Sequence, residues 1–142
     1  MNDNSTISFD ISSTDISSPL ALAIWIDDQC VFQTPHVREP IHYEQIFDDD
    51  DGKHELKIVM SGKTQNHTTI DDHGNIVKDA VLSVAFSVDN ANFDELFQKQ
   101  VVYTHNFNGT QPDIADTFYG LMGCNGTLSL KFTTPLFLWV LD

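Results

Sequence analysis

The stretch that decides the fold is Leu82-Ser83-Val84-Ala85-Phe86-Ser87-Val88, in which larger apolar residues alternate strictly with small ones. Because successive side chains of a β-strand point to opposite faces, this stretch has one apolar face and one small or polar face. The same period of two recurs at Ile7–Ile11, His54–Met60 and Leu128–Phe132. Sheets that bury one face and expose the other show this alternation, so the sequence predicts antiparallel β-structure.

Two further stretches are apolar on both faces. They are Leu20–Ile26 and Leu136–Leu141, and both are predicted as central or covered strands. For the second stretch a short buried helix stays open as an alternative. Asp27-Asp28-Gln29 follows the first stretch and predicts a hairpin turn. Asn92–Gln100 is the one helix-like segment, and we expect one or two turns there.

These patterns together predict an all-β protein. The 142 residues suit one domain, residues 1–142, with about eight or nine strands. Without helices alternating with the strands, a βαβ fold is excluded. An antiparallel β-sandwich of jelly-roll type fits best, and an immunoglobulin-type sandwich is the alternative.

The charge of the chain restricts its partners. The formal net charge is -14, from 21 acidic and 7 basic residues. Such a field repels phosphate backbones and anionic lipids, so we expect no nucleic-acid partner and no membrane partner. The first residues carry no positive charge, and no secretory signal is predicted. Cys30 and Cys124 are expected to be free and buried, with a single disulfide left open.

Aromatic side chains are the candidates for ligand contacts. A sugar docks its apolar C–H surface on an aromatic face while its hydroxyl groups seek polar partners. We take Trp25, Tyr43 and Tyr103 as the carbohydrate-binding candidates. Trp25 lies opposite the large aliphatic residues of its strand, which favours exposure, whereas Trp139 lies in an apolar run and is expected in the core.

Two acidic loops are candidates for a hard cation. One is Asp48–Asp51, and the other contains Asp71, Asp72 and Asp79. Carboxylate oxygens suit Ca²⁺ or Mg²⁺, but solvated loops without any metal explain the same residues, and no cofactor is required. No nucleophile motif, phosphate loop or zinc motif occurs, so no catalytic residue is assigned and a hydrolase is the least favoured function.

Part of the chain resembles the small calcium-dependent jelly-roll carbohydrate-binding modules. The stretch Ile24-Trp25-Ile26-Asp27-Asp28 is similar to their strand that ends in a polar turn. Asp51-Gly52-Lys53-His54 is similar to the close of their following strand, and Glu55–Met60 is similar to the aliphatic strand that comes next. The resemblance implies glycan binding and a calcium in the loop that follows. On that basis Asp71, Asp72 and Asp79 are preferred to the earlier acidic run as metal ligands.

The whole chain is also similar to small domains of tailed phages, especially cyanophages, through His105–Thr110 and Tyr119–Gly126. That similarity implies a non-catalytic virion protein, such as a capsid decoration or a tail or fibre accessory. It would be made in the host cytoplasm and would bind other virion proteins, copies of itself or a glycan. A stand-alone calcium-dependent carbohydrate-binding module is the alternative function.

Overall fold

A computed structural model of the chain describes residues 4–48, 52–63, 68–70, 72–73 and 76–141. The first part contains β1 (Asn4–Ser13), β2 (Ala21–Ile26), β3 (Gln29–Thr34), β4 (Ile41–Asp48), β5 (Lys53–Ser61), β6 (Thr68–Ile70) and β7 (Ile76–Asp79). The second part contains β8 (Leu82–Val88), β9 (Ala91–Asn92), α1 (Asp94–Gln100), β10 (Val102–His105), β11 (Ile114–Thr117), β12 (Leu121–Met122), β13 (Gly126–Thr133) and α2 (Leu136–Trp139).

The strands form an antiparallel β-sandwich, as the alternating patterns predicted. One sheet has the order β12-β8-β1-β4, with β9 paired to β8. The other has the order β11-β10-β13-β5-β2-β3, and β6 and β7 form a separate hairpin. The thirteen segments of the described residues exceed the eight or nine expected because several have only two to four residues.

The core lies between the apolar faces of the two sheets. Phe86 and Phe9 are paired on neighbouring strands, and their rings are 5.4 Å apart. Ile58 of β5 pairs with Ile24 of β2 and Leu128 of β13 in the facing sheet, and all three are buried. Buried apolar area of this kind stabilises the fold by about 25 cal/mol per Å². The period of two therefore identified the inward faces correctly.

The β2–β3 hairpin is built from the predicted polar turn. Asp27 and Asp28 have φ values of 49° and 68°, in the left-handed region. Two consecutive residues of this conformation match the right-handed twist of the flanking strands, and Asp tolerates it because its short polar side chain bonds locally. The backbone N–H of Asp27 donates to the carbonyl of Glu55, at 2.9 Å, which ties the turn to the start of β5.

The prediction of a strand at Leu136–Leu141 is wrong. Leu136–Trp139 is a short helix, and the N–H of Val140 donates to the carbonyl of Leu136 at 3.0 Å. An all-apolar run has no period that separates a buried strand from a buried helix. Pro135 has no N–H to contribute to a sheet, whereas the first turn of a helix does not need one. The alternative left open for this run is the correct one.

Other local predictions have mixed outcomes. The expected short helix exists as α1, within Asn92–Gln100. No disulfide joins Cys30 and Cys124, and neither is fully buried: Cys30 is exposed because it lies on the edge strand β3, and Cys124 is half-buried. Within the described residues, no helix is long and apolar enough to cross a membrane.

Candidate functional site

A cleft of about 650 Å³ lies at one end of the six-stranded sheet. Three parts of the chain meet there: the β2–β3 turn, the start of β5, and the end of β13 with helix α2. We call it the β5 cleft. Its lining residues are Asp27, Asp28, Lys53, His54, Glu55, Lys131, Phe132, Thr133 and Trp139. The two segments that carry the resemblance to carbohydrate-binding modules thus converge on one depression.

Asp27 is the most constrained polar group of the β5 cleft. Its Oδ1 accepts a hydrogen bond from the backbone N–H of Glu55 at 2.8 Å, and its Oδ2 lies 2.6 Å from Nδ1 of His54. Partial burial acts to raise the pKa of Asp27, but the hydrogen bonds from His54 and from Glu55 outweigh it. The pKa of Asp27 is therefore lowered below its ordinary value of 3.8. The carboxylate is ionised and fixed in direction at neutral pH.

Aromatic rings fix the other side of His54. Its imidazole stacks on Phe132 with centroids 5.5 Å apart, and it lies 5.0 Å from the ring of Phe47. Trp139 meets Phe132 edge to face at 5.9 Å and is half-buried, so its indole forms part of the cleft wall. With Nδ1 bonded to Asp27, the Nε2 atom has no hydrogen-bond partner among the described residues.

Charged side chains line the outer rim of the β5 cleft. Lys53, Glu55 and Lys57 alternate along the outer face of β5, and Lys131 lies opposite Glu55 on β13. Glu55 forms an ion pair with Lys57 at 3.4 Å and accepts a hydrogen bond from the hydroxyl of Ser129 at 3.2 Å. Lys53 and Lys131 are exposed. The rim therefore offers both hydrogen-bond donors and acceptors.

Trp25 lies on the outer face of the same sheet, as the sequence predicted. It is 36% exposed and pairs with Lys57 in the register. A second, shallower depression of about 340 Å³ is lined by Trp25, Asp28, Lys57, Val59 and Thr127. Asp28 borders this depression and the β5 cleft, so the two are neighbours.

Tyr43 and Tyr103 do not join Trp25. Tyr43 lies on the edge strand β4 of the opposite sheet, packs partly on the core beside Phe32, and donates its hydroxyl to Gln45 at 2.8 Å. Tyr103 is 6% exposed, and its hydroxyl donates to the carbonyl of Cys124. Burial raises the pKa of Tyr103 to about 12. A ring so placed has no face open to a sugar, so the sequence-based assignment of Tyr103 is corrected.

The acidic candidates are only partly described. Asp72 is an exposed turn residue of the β6–β7 hairpin, Asp71 and Asp49–Asp51 lie outside the described residues, and so does the side chain of Asp79. Within the described ranges, no three His, Cys, Asp or Glu side chains come together in a way that could hold a metal ion. In the β5 cleft, both carboxylate oxygens of Asp27 already hold hydrogen bonds, and those of Glu55 contact Lys57 and Ser129. Asp28 is therefore the one carboxylate of the cleft without a hydrogen bond or ion pair to a described residue. The described residues alone do not form a calcium site.

Sequence reasoning missed the central residues of the β5 cleft. His54 was assigned to the alternating face of a strand, and Trp139 was assigned to the core. The signal that could have found His54 was the polar dipeptide Asp27-Asp28 together with a histidine at the start of the aliphatic strand. The register of β2 on β5, in which Ile26 pairs with Leu56, brings Asp27 and His54 together.

Comparison with solved structures identifies proteins of the same fold. One is the selenomethionine form of vCBM60, described with two families of calcium-dependent carbohydrate-binding modules linked by circular permutation. It has a TM-score of 0.53 and 12% identity, over 89% of each chain. Another is vCBM60 in complex with galactobiose, with a TM-score of 0.50 and 13% identity over 88% of this chain and 96% of the other. No family model and no curated protein matches the sequence.

These likenesses bear on the fold. At 12–13% identity they show a shared two-sheet sandwich of jelly-roll type, in agreement with the strand order given above. Both structural neighbours are described as carbohydrate-binding modules. The immunoglobulin-type alternative is therefore not needed to explain the architecture.

Proposed function

We propose that this protein is a non-catalytic carbohydrate-binding module and that the β5 cleft is its glycan-binding site. One observation carries the proposal: an oriented polar pair, Asp27 and His54, lies in the same open cleft as the half-buried indole of Trp139. A sugar needs both elements, since its ring has an apolar face and its hydroxyl groups need directed hydrogen-bond partners. The fold shared with vCBM60, one form of which holds galactobiose, supports the same function.

The parts of the cleft have separable roles in this proposal. Trp139 provides the stacking surface. Each oxygen of Asp27 holds one hydrogen bond and has a second lone pair that can accept from a sugar hydroxyl, and Nε2 of His54 offers a second directed contact. Trp25, on the neighbouring depression, extends the surface for a longer chain through the border at Asp28. Tyr43 lies on the opposite sheet and has no part in this surface.

The direct test is binding of oligosaccharides, including galactobiose, measured by titration calorimetry with wild type and Trp139→Ala. We expect Trp139→Ala to weaken binding about tenfold or more, because one aromatic stacking contact is lost. Tyr119→Ala is the matched control, since Tyr119 is 79% exposed and lies on a different depression beside α1. Circular dichroism and thermal melts must show that both variants stay folded.

Three outcomes would count against this function. Wild type that binds no saccharide of a broad glycan array removes the proposal. Equal losses in Trp139→Ala and Tyr119→Ala would place the binding surface elsewhere. Release of reducing sugar from a bound oligosaccharide would show catalysis and would replace a binding module by a hydrolase.

Calcium is the cofactor that the fold family implies. We propose that any calcium is held by Asp71, Asp72 and Asp79 of the β6–β7 hairpin rather than by Asp48–Asp51, because the hairpin acids follow the aliphatic strand β5. The test is calcium titration of chelator-treated protein, with Asp72→Asn in the hairpin and Asp28→Asn as the matched control. We expect millimolar or tighter binding, a calcium-dependent rise in melting temperature in wild type, and loss of both in Asp72→Asn. No binding in the millimolar range would end the idea.

A virion location and association with virion proteins or with copies of this chain remain predictions. They rest on the similarity of His105–Thr110 and Tyr119–Gly126 to phage domains. Edge strands β4 and β11 each pair on one side within the described sheets, and such edges favour pairing with neighbours. Sedimentation and mass spectrometry of purified particles test both statements. A monomer at high concentration that is absent from particles would contradict them.

A further inference from the structure

The β5 cleft differs in charge from the rest of the chain. Its lining carries Lys53 and Lys131 among three acidic residues, Asp27, Asp28 and Glu55, and Lys57 lines the neighbouring depression; we call these three lysines the lysine strip. The chain has 7 basic and 21 acidic residues, so four basic and eighteen acidic residues remain for all other positions. The cleft and the neighbouring depression together hold three basic and three acidic residues, while the remainder of the chain is strongly acidic.

The lysine strip is set by strand register. Lys131 lies opposite Glu55, which makes it the diagonal neighbour of both Lys53 and Lys57 on the same face. Diagonal neighbours on paired strands are about 7–8 Å apart, which is close enough for two ammonium groups to converge on one anionic group. Three like charges so near one another repel unless counterions lie among them, and Glu55 is the one carboxylate of this face that lies between them.

The acidic residues equal the lysine strip in number but do not pair with all of it. Glu55 is bonded to Lys57 and to the hydroxyl of Ser129, and Asp27 is bonded to His54. Lys53 and Lys131 form no ion pair with any residue that the structure describes. Two exposed ammonium groups thus border the same cleft as Trp139.

We propose that the β5 cleft takes an acidic saccharide, whose carboxylate or sulfate is bound by Lys53 and Lys131. This inference rests on the proposed glycan-binding function and specifies its ligand class. A neutral sugar gains little from two ammonium groups, whereas a charged group forms hydrogen bonds roughly twice as strong as neutral ones. A chain of net charge -14 repels polyanions over most of its surface, so an anionic glycan needs a local cationic contact of this kind.

The test compares matched ligands and matched variants. The ligands are an oligogalacturonide, its carboxyl-reduced neutral counterpart, and that neutral counterpart carrying sulfate groups. The variants are the double substitution Lys53→Gln with Lys131→Gln, and Lys99→Gln on α1, which removes a positive charge away from the cleft. Affinity is measured by calorimetry at low and at physiological salt, because screening weakens the charged contribution first.

We expect wild type to bind an acidic form about tenfold more tightly than the neutral form, an advantage that falls as salt rises. The double variant should lose that advantage and keep its affinity for the neutral form, while Lys99→Gln matches wild type. A preference for the carboxylate or the sulfate form distinguishes the two sources of negative charge. Neutral binding with no acidic advantage would overturn this inference and leave the proposed function intact. No binding of any form by wild type would remove both.

Discussion

Replacing Asp27 by Asn tests whether the carboxylate charge of Asp27, held against His54, stabilises the β5 cleft. Asn keeps the size of the side chain and also tolerates the left-handed backbone, so the turn at φ 49° is preserved. Its carbonyl oxygen can still accept the N–H of Glu55. What is lost is the charge that faces Nδ1 of His54 at 2.6 Å. The variant therefore isolates the contribution of the Asp27 charge to one contact.

The expected cost follows from the geometry. A hydrogen bond to a charged group contributes about 1.5–3 kcal/mol when shielded from water. The Asp27 side chain is 45% exposed, so solvent screening reduces this to about 1 kcal/mol. For a chain of this size, that free energy lowers the melting temperature by about 3 °C. Urea unfolding monitored by fluorescence gives the same quantity as a change in the free energy of unfolding.

The pH dependence gives a second, independent check. The pKa of Asp27 is lowered in the folded state, so its contribution is present above the ordinary value of 3.8 and is lost as pH falls through the folded value. The difference between wild type and Asp27→Asn should be full at pH 7 and should shrink towards pH 3.

Asp28→Asn is the matched control for this variant. It makes the same chemical change one residue later, also at a positive φ, where the carboxylate has no hydrogen bond to a described residue. We expect its effect to stay within about 0.5 kcal/mol at both pH values. Equal costs for the two variants, or a cost of Asp27→Asn that does not change with pH, would refute the role assigned to the pair.

Two further predictions concern the sheet opposite the β5 cleft and helix α1, which packs on that sheet. His42 bonds Glu44 at 2.8 Å and Asp10 at 2.7 Å, and these two hydrogen bonds raise the pKa of His42 above 6.5. An NMR titration of His42 should find this raised pKa, and an ordinary pKa would contradict the geometry. The contribution of His42 to the free energy of unfolding should be full below pH 6.5 and should fall as pH rises through the pKa of His42 in the folded state. Phe97→Ala should cost about 3–5 kcal/mol in urea unfolding, because its ring is 1% exposed and stacks on Phe86 at 4.9 Å. Leu141→Ala is the control, because Leu141 is 80% exposed, and it should cost under about 0.5 kcal/mol. Similar costs for Phe97→Ala and Leu141→Ala would show that Phe97 does not pack α1 on the core.

The fold was predictable because alternation is a local signal. Leu82–Val88 shows its buried face in seven residues without any knowledge of its partners. Two features were not predictable, for different reasons. Leu136–Leu141 has no polar residue to mark a face, so its helix could not be separated from a strand. Tyr103 follows Val101 and Val102, both apolar, so the sequence does not indicate which of the alternating positions of β10 faces the core.

The candidate site was predictable only in part. The turn at Asp27-Asp28 and the exposure of Trp25 follow from local sequence, and both are observed. The pairing of Asp27 with His54 joins residues 27 positions apart and depends on the register between β2 and β5. A shift of one residue would turn His54 to the other face of the sheet. Site chemistry of this kind depends on non-local pairing, which one sequence does not reveal.

The two sites that the resemblance suggested lie on opposite sides of β5 along the chain. The β5 cleft lies at the start of this strand, at Lys53 and His54, and the chain leaves its other end after Ser61 towards the β6–β7 hairpin. Nine residues of extended strand cover roughly 30 Å. A cation on the hairpin that contains Asp72 is therefore expected to stabilise its own loop without contacting a sugar in the β5 cleft. Calcium binding and glycan binding should then respond to different substitutions, Asp72→Asn for the first and Trp139→Ala for the second.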